Sequence, residues 1–441
     1  MATLDPLQLD RDIARAVRAE RAWWRTLRAD PSRAADDAWY EPIRHVTTRT
    51  TFQEVESLSA SDPLRDGLLA WMHRLALTRI AQKPILAVAA LRHEANLRWD
   101  EPEPGIYSVR GVVRLVLTAN APLQARMWVD ALARSAVPLL DREKTLRQAA
   151  DEISSRLGVT DPSTFAPVDR ATIVAEAEAF LRRTRDLASS LFDREHLADL
   201  ALLFVARDVP GVWPTKPDAR WLFDQFQGTP LLQGLTVDLG PTPSPLGGAS
   251  FARALARLGA AYARVAVQGR APFVVTTDPT EIHPLRRGAL FASLAVDPVF
   301  LRKQLGFSRD AAGSTCRALA VTFLAALRLA AAQTVVDVAN ASATAIAEAT
   351  EDALRVPVPP ELSAVFPRID PCASRRLTAA LLAQSDADEL RGNFDDDWFR
   401  NPRALAALRE QDAATRPAKV ASDVLRGAAE PLAKALEALA G

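Results

Sequence analysis

From Ser314 to Val356 the chain runs 43 residues without a glycine or a proline. Strands in globular proteins usually end within about 10 residues, so this run predicts one very long helix or two joined near Asn340. Composition carries the same signal to the whole chain. Alanine occurs 82 times, and 48 of the 54 basic residues are arginine. Ala, Leu and Arg are strong helix formers, and only three tyrosines leave little for strand chemistry. The expected fold is mainly α: a large multi-helix, two-lobed body with a cleft and only minor β, at about Pro272–Thr277.

The 441 residues are 49% apolar and 24% charged, which excludes disorder as the main state. Lys+Arg and Asp+Glu balance at 54 each, so bulk charge argues neither for nor against an anionic partner, and no nucleic-acid partner is expected. Two cysteines, Cys316 and Cys372, form no disulfide framework and point to a reducing cytoplasm. The first 24 residues hold no apolar signal-peptide core. The most apolar long window, Ala318–Ala339, contains Arg328, Gln333 and Asp337. A charge at a bilayer centre costs about 2.5–3.5 kcal/mol, so the window reads as a buried helix and no membrane span is expected.

A first helix is expected over Leu9–Leu27, with Ile13, Val17, Trp24 and Leu27 on one face. Six arginines, from Arg11 to Arg28, occupy the opposite face. Asp62-Pro63 predicts a helix start, and Lys83-Pro84 a break before another helix over Ile85–Leu97. Trp99–Gly105 reads as a loop, and Tyr107–Thr118 suits a strand or a helix. Ile173, Ala177, Phe180, Thr184, Leu187 and Leu191 repeat at helical spacing. The prolines and glycines of Val209–Gly248 mark the main break. The expected division is therefore an N-terminal helical lobe over 1–208, a Pro-rich connection over 209–248 and a C-terminal helical lobe over 249–441. Pro272–Thr277 (PFVVTT) is the most strand-like run.

The common catalytic constellations are missing. Of five histidines, none pairs with a second at the spacing zinc needs. His93-Glu94 is followed by Leu97 where the second ligand would stand, and Phe192 occupies the first position ahead of Glu195-His196. No Cys-x-x-Cys, P-loop or dinucleotide motif occurs. Gly248-Ala-Ser250 lacks the rest of a nucleophile elbow and suits a helix N-cap at Ser250. Cys316 reads as core, and Asp395–Asp397 as a helix start rather than a magnesium site. No catalytic residue, cofactor or metal ligand is expected.

Three segments together resemble the helical metallopeptidases of the thimet oligopeptidase type. Ala149–Phe192, with Leu157-Gly158 and the helix Thr172–Leu191, is similar to the helical region ahead of that family's active site. PFVVTT followed by Leu285-Arg286-Arg287-Gly288-Ala289-Leu290-Phe291 is similar to the stretch holding H-E-x-G-H-A-L. Asp397–Arg403 resembles a C-terminal aromatic-Asn-Pro stretch. The likeness spans about half the chain. In that register Leu285 and Ala289 replace the two zinc histidines, and Arg286 replaces the general base. No glutamate lies between His283 and Glu348 to act as third ligand, and Asp297, Asp310 and Asp337 alone form no zinc site. The resemblance implies the fold and argues against hydrolysis.

The expected function is therefore that of a catalytically inactive metallopeptidase-like protein that binds a peptide or protein in an inter-lobe cleft. Tyr262, His283, Arg286 and Arg287 are the candidate cleft contacts, the two arginines suiting a carboxylate. The alternative is a helical scaffold or adaptor that uses the arginine face of the first helix or the Ala-rich helices near 320–350.

Overall fold

A computed structural model describes residues 4–35, 38–94, 97–99, 104–108, 165–166, 168–192, 213–214, 217–239, 246, 248–266, 271–336, 341–355, 360, 373–414 and 420–440, with scattered positions between 111 and 159. Helix makes up 78% of the fold and strand 2%, so it is mainly α. In chain order the described helices are α1 (Pro6–Ala29), α2 (Pro31–Ala35), α3 (Arg49–Glu56), α4 (Arg65–Ile80), α5 (Gln82–His93), α6 (Arg170–Arg183), α7 (Arg185–Leu191), α8 (Ala219–Gln227) and α9 (Gly248–Ala266). They continue as α10 (Phe273–Thr276), α11 (Ile282–Ser293), α12 (Pro298–Leu305), α13 (Arg309–Val335), α14 (Ala343–Leu354), α15 (Ala373–Phe394), α16 (Pro402–Ala414), α17 (Ser422–Leu425) and α18 (Ala429–Ala440). One hairpin pairs β1 (Leu97–Trp99) with β2 (Gly105–Tyr107), Arg98 opposite Ile106.

Contacts divide the chain into two compact units. Unit 1 comprises 1–166, 269–279 and 359–365, and unit 2 comprises 167–268, 280–358 and 366–441. The expected boundary at 208 therefore falls inside unit 2. The reason lies in α6, whose Ile173, Ala177 and Phe180 are buried with Leu324 of α13 and Leu381 of α15. A helix belongs where its apolar stripe is covered.

In unit 1, Asp5 caps α1 through the Leu7 amide with Pro6 in the first turn, the pairing that favours a helix start. The buried stripe of α1 holds Ile13, Val17 and Trp23. Trp23, rather than the expected Trp24, is fully enclosed, its indole N–H donating to the Ala34 carbonyl at 3.1 Å. Arg11, Arg15, Arg18, Arg25 and Arg28 are exposed. Asp62 closes a turn onto the Leu64 amide instead of capping α4. The expected break falls at Ala81, between α4 and α5, and Pro84 sits in the first turn of α5, where the amides need no intrahelical partner. That helix ends at His93, so Leu97 is in the hairpin.

Pro272–Thr277 is not a strand. Buried Asp10 accepts hydrogen bonds from the Phe273 amide (3.1 Å) and the Val274 amide (2.8 Å), winding one helical turn, α10. Gly67 of α4 lies so close that a Cβ there would meet the Val274 carbonyl oxygen at 2.5 Å. Tertiary contacts thus override the β propensity of two valines.

In unit 2, Asp169, Asp218, Asp297, Ser308 and Ser342 cap α6, α8, α12, α13 and α14. Ser250 lies inside the first turn of α9, which begins at Gly248, and is not its cap. Leu235–Leu239 forms no strand. The long Gly- and Pro-free run is two helices, α13 and α14. Among the described residues α13 alone is long and apolar enough to cross a membrane, and 56% of its most apolar window is buried within the fold.

Arg328 of α13 is 1% exposed. It donates to the Ala353 and Asp352 carbonyls at the end of α14, and to the Leu181 carbonyl and Thr184 Oγ1 at the end of α6. A cation suits two helix C-termini. Burial nevertheless lowers its pKa to about 10.

Candidate functional site

The candidate site is built around α11 in unit 2. Helix α11 crosses α9 at glycines. A Cβ on Gly259 would stand 2.3 Å from the Arg287 carbonyl oxygen, and one on Gly288 would stand 2.9 Å from that of Ala256. The two backbones touch, which only glycine permits. This crossing fixes the two sides of α11.

One side carries charge. Arg287 is 1% exposed. Its Nε donates to Asp412 at 2.7 Å, Nη1 to Asp386 at 2.6 Å and Nη2 to the Gln411 side-chain oxygen at 2.7 Å. Arg286 donates from Nε to Asp386 at 2.7 Å and makes a second contact to the same carboxylate. His283 places Nε2 3.5 Å from Asp412. Burial raises the Tyr262 hydroxyl above its ordinary pKa, and the Asp412 carboxylate beside it adds to the effect. Burial alone would lower Arg287, but Asp412 and Asp386 outweigh it and hold the guanidinium above its usual value.

The sequence-chosen residues Tyr262, His283, Arg286 and Arg287 thus converge, but on a network whose centre, Arg287 with Asp386 and Asp412, is buried. Two guanidiniums face two carboxylates, so the group is neutral apart from the imidazole. Arg286 and Arg287 spend their donors on Asp386 and Asp412. Sequence reasoning missed both aspartates. A signal was present: Asp386 sits between Leu382 and Leu390 on one buried stripe, and Asp412 one turn after Leu408. An acid in a core stripe calls for a buried cation.

The other side of α11 is apolar and open. Leu285, Gly288, Ala289 and Ala292 line a groove of about 870 Å³. Helices α9, α12, α13, α15 and α18 supply most of the remaining walls, largely alanine and leucine with Phe323, and four arginines also line the groove. Leu285 and Ala289, which the resemblance would set against zinc histidines, are one turn apart and share this wall. Neither side chain has a donor atom for a metal, and Arg286 beside them is a cation. These residues do not fit zinc. No group of three or more His, Cys, Asp or Glu placed to hold a metal occurs among the described residues.

The remaining candidates settle into structural roles. Asp297 caps α12 through the Val299 and Phe300 amides and pairs with Arg391 at 3.2 Å. Asp310 is in the first turn of α13, and Asp337 lies outside the described residues. His93 and Glu94 end α5, and His196 lies outside the described residues. Cys316 is buried, its thiol pushed up to about 12 by that burial, and Cys372 lies outside the described residues. Asp397 pairs with Lys303, which lowers its pKa. No family model, curated protein or solved structure matches the chain.

Proposed function

We propose that this chain is a non-hydrolytic binding protein, a relative of the helical metallopeptidases without their zinc centre, which holds its ligand in the groove beside α11. One observation carries the reading. The positions that would bear zinc histidines face the groove as Leu285 and Ala289. The wall that would grip a cation in an enzyme is an apolar contact surface here. The resemblance implies a peptide or protein ligand, and the low cysteine content suits a reducing cytoplasm. The test combines elemental analysis of the purified chain with peptide hydrolysis in the presence and absence of chelator. Substoichiometric zinc and no chelator-sensitive turnover are expected. Stoichiometric zinc, or turnover lost on chelation, overturns the proposal.

The second reading is a scaffold, favoured by the exposed arginines of α1. Such a face attracts an acidic partner. It predicts that binding to an acidic polypeptide such as polyglutamate falls with salt and is abolished by charge reversal at Arg11, Arg15 and Arg18, whereas filling the groove changes nothing.

A further inference from the structure

We infer that unit 1 holds a binding site of its own, a basic pocket that takes a small organic phosphate: a doubly charged phosphoryl head on a compact apolar body. Its walls lie wholly within unit 1 and share no residue with the groove beside α11. Three observations select this ligand class.

The first is charge without counter-charge. Arg49, Arg79, Lys83 and Arg156 line the pocket, and no aspartate or glutamate does. Among the described residues only Arg156 of the four has a carboxylate partner, Glu152 at 2.9 Å. The side chains of Arg49 and Lys83 make no hydrogen bond or ion pair among the described residues. Cations gathered in a concavity without an acid repel one another and focus a field that draws an anion.

The second is the way Arg79 is held. Its Nη1 donates to Thr47 Oγ1 at 2.6 Å, and its guanidinium stands 5.2 Å from the centre of the Tyr40 ring. Thr47 is buried, and its hydroxyl donates its one proton to the Arg44 carbonyl at 3.1 Å. Toward Arg79 that oxygen can therefore only accept. A hydroxyl and an aromatic face fix a cation without cancelling its charge. Arg79 is thus oriented in advance, with the rest of its fork left for an oxyanion.

The third is size and lining. The volume of about 470 Å³ is more than a bare phosphate ion fills, and it lies in the range of about 300–1,000 Å³ that encloses small ligands. Ala76, Ile80, Leu86 and Leu157 supply an apolar wall. Ala76, Arg79, Ile80 and Lys83 follow at helical spacing across the junction of α4 and α5, so basic and apolar contacts sit side by side. A phosphate monoester carries about −1.5 to −2 at pH 7. Cations in excess match that charge better than the single charge of a carboxylate.

The test uses the full chain and three probes that differ only in the head group: 2-naphthyl phosphate, 2-naphthoate and 2-naphthol, each followed by titration calorimetry. Saturable one-to-one binding of the phosphate is expected, at least tenfold tighter than that of the naphthoate or the naphthol. It is expected to strengthen as pH rises through about 6, where the second phosphate proton leaves, because no His, Asp or Glu lines the pocket to titrate there. Arg49→Ala and Lys83→Ala, both at exposed residues and checked for fold by circular dichroism, are each expected to weaken the phosphate at least fivefold. Arg98→Ala, at an exposed cation of the hairpin outside the pocket, is expected to leave it unchanged. Naphthoate or naphthol binding as tightly as the phosphate, or binding indifferent to both pocket variants, overturns the assignment. Inorganic phosphate displacing the probe as well as the unlabelled ester phenyl phosphate overturns the organic body. A single-stranded oligonucleotide displacing the probe better than phenyl phosphate, or no saturable binding by the folded chain, overturns the small-ligand site altogether.

Discussion

The two sides of α11 solve opposite problems within three turns of one helix. On one side Arg286 and Arg287 are bound by Asp386 and Asp412. On the other, Leu285, Gly288 and Ala289 face open volume. A buried ion network holds its members in fixed geometry because each lost partner leaves a charge without water. An alanine-lined wall has no such demand. The difference teaches that the residues most suited to grip a ligand by charge are already committed to holding helices together. The ones without chemistry are those that line the groove.

The sharpest way to break this comparison is Arg287→Met. It leaves Asp386 with Arg286 alone and strips Asp412 of its guanidinium. Chemical denaturation is expected to show a loss of about 3–5 kcal/mol. A loss below 1 kcal/mol on this scale would mean that the network is dispensable.

Acid titration asks whether the charged side is also the source of pH sensitivity. In unit 1, His73 stacks on Phe165 at 4.6 Å between ring centres, and burial lowers its pKa to about 4. The unfolded chain takes up that proton near 6.5 and the folded one only near 4. Stability is therefore full above about pH 6.5 and is lost as pH falls from there, by on the order of 3 kcal/mol at pH 4 and below. His73→Phe is expected to flatten this limb in urea melts collected from pH 7 to 4. If the limb persists unchanged, α11's network is the place to look for it.

Gly259→Ala tests the crossing that separates the two sides. Its methyl would press on the Arg287 carbonyl, and a cost of about 1–3 kcal/mol is expected from overpacking. At the alkaline end the Tyr262 hydroxyl keeps its proton in the folded state after the unfolded chain has lost it at about pH 10. Stability contributed by that difference falls as pH rises above 10, and Tyr262→Phe is expected to soften the fall. The smallest effect belongs to the open wall. Ala289→Ser is expected to change stability by less than about 0.5 kcal/mol, as measured by thermal melting.

The helices were legible from the spacing of their apolar residues rather than from their caps. Asp5, Asp169, Asp297, Ser308 and Ser342 do cap helices, whereas the two caps expected from the sequence, Asp62 and Ser250, do not. The strand expected at Pro272–Thr277 failed for the opposite reason. Its conformation is imposed by Asp10, more than 260 residues away, and no window of sequence contains that information. The candidate site divides the same way. Tyr262, His283, Arg286 and Arg287 were recognisable as chemistry-bearing residues near one helix. Their partners Asp386 and Asp412 lie about 100 and 125 residues further on, on helices whose own periodicity does not say which neighbour they meet. The groove was invisible because absence of side-chain bulk is a property of six helices together.

Arg328 carries a consequence for the longest helix. Its guanidinium fastens α13 to the last carbonyls of α6 and α14. Drawing α13 out toward lipid would tear away every one of those acceptors and expose two frayed helix ends at once. The longest of the described helices is thereby moored about two-thirds of the way along its length.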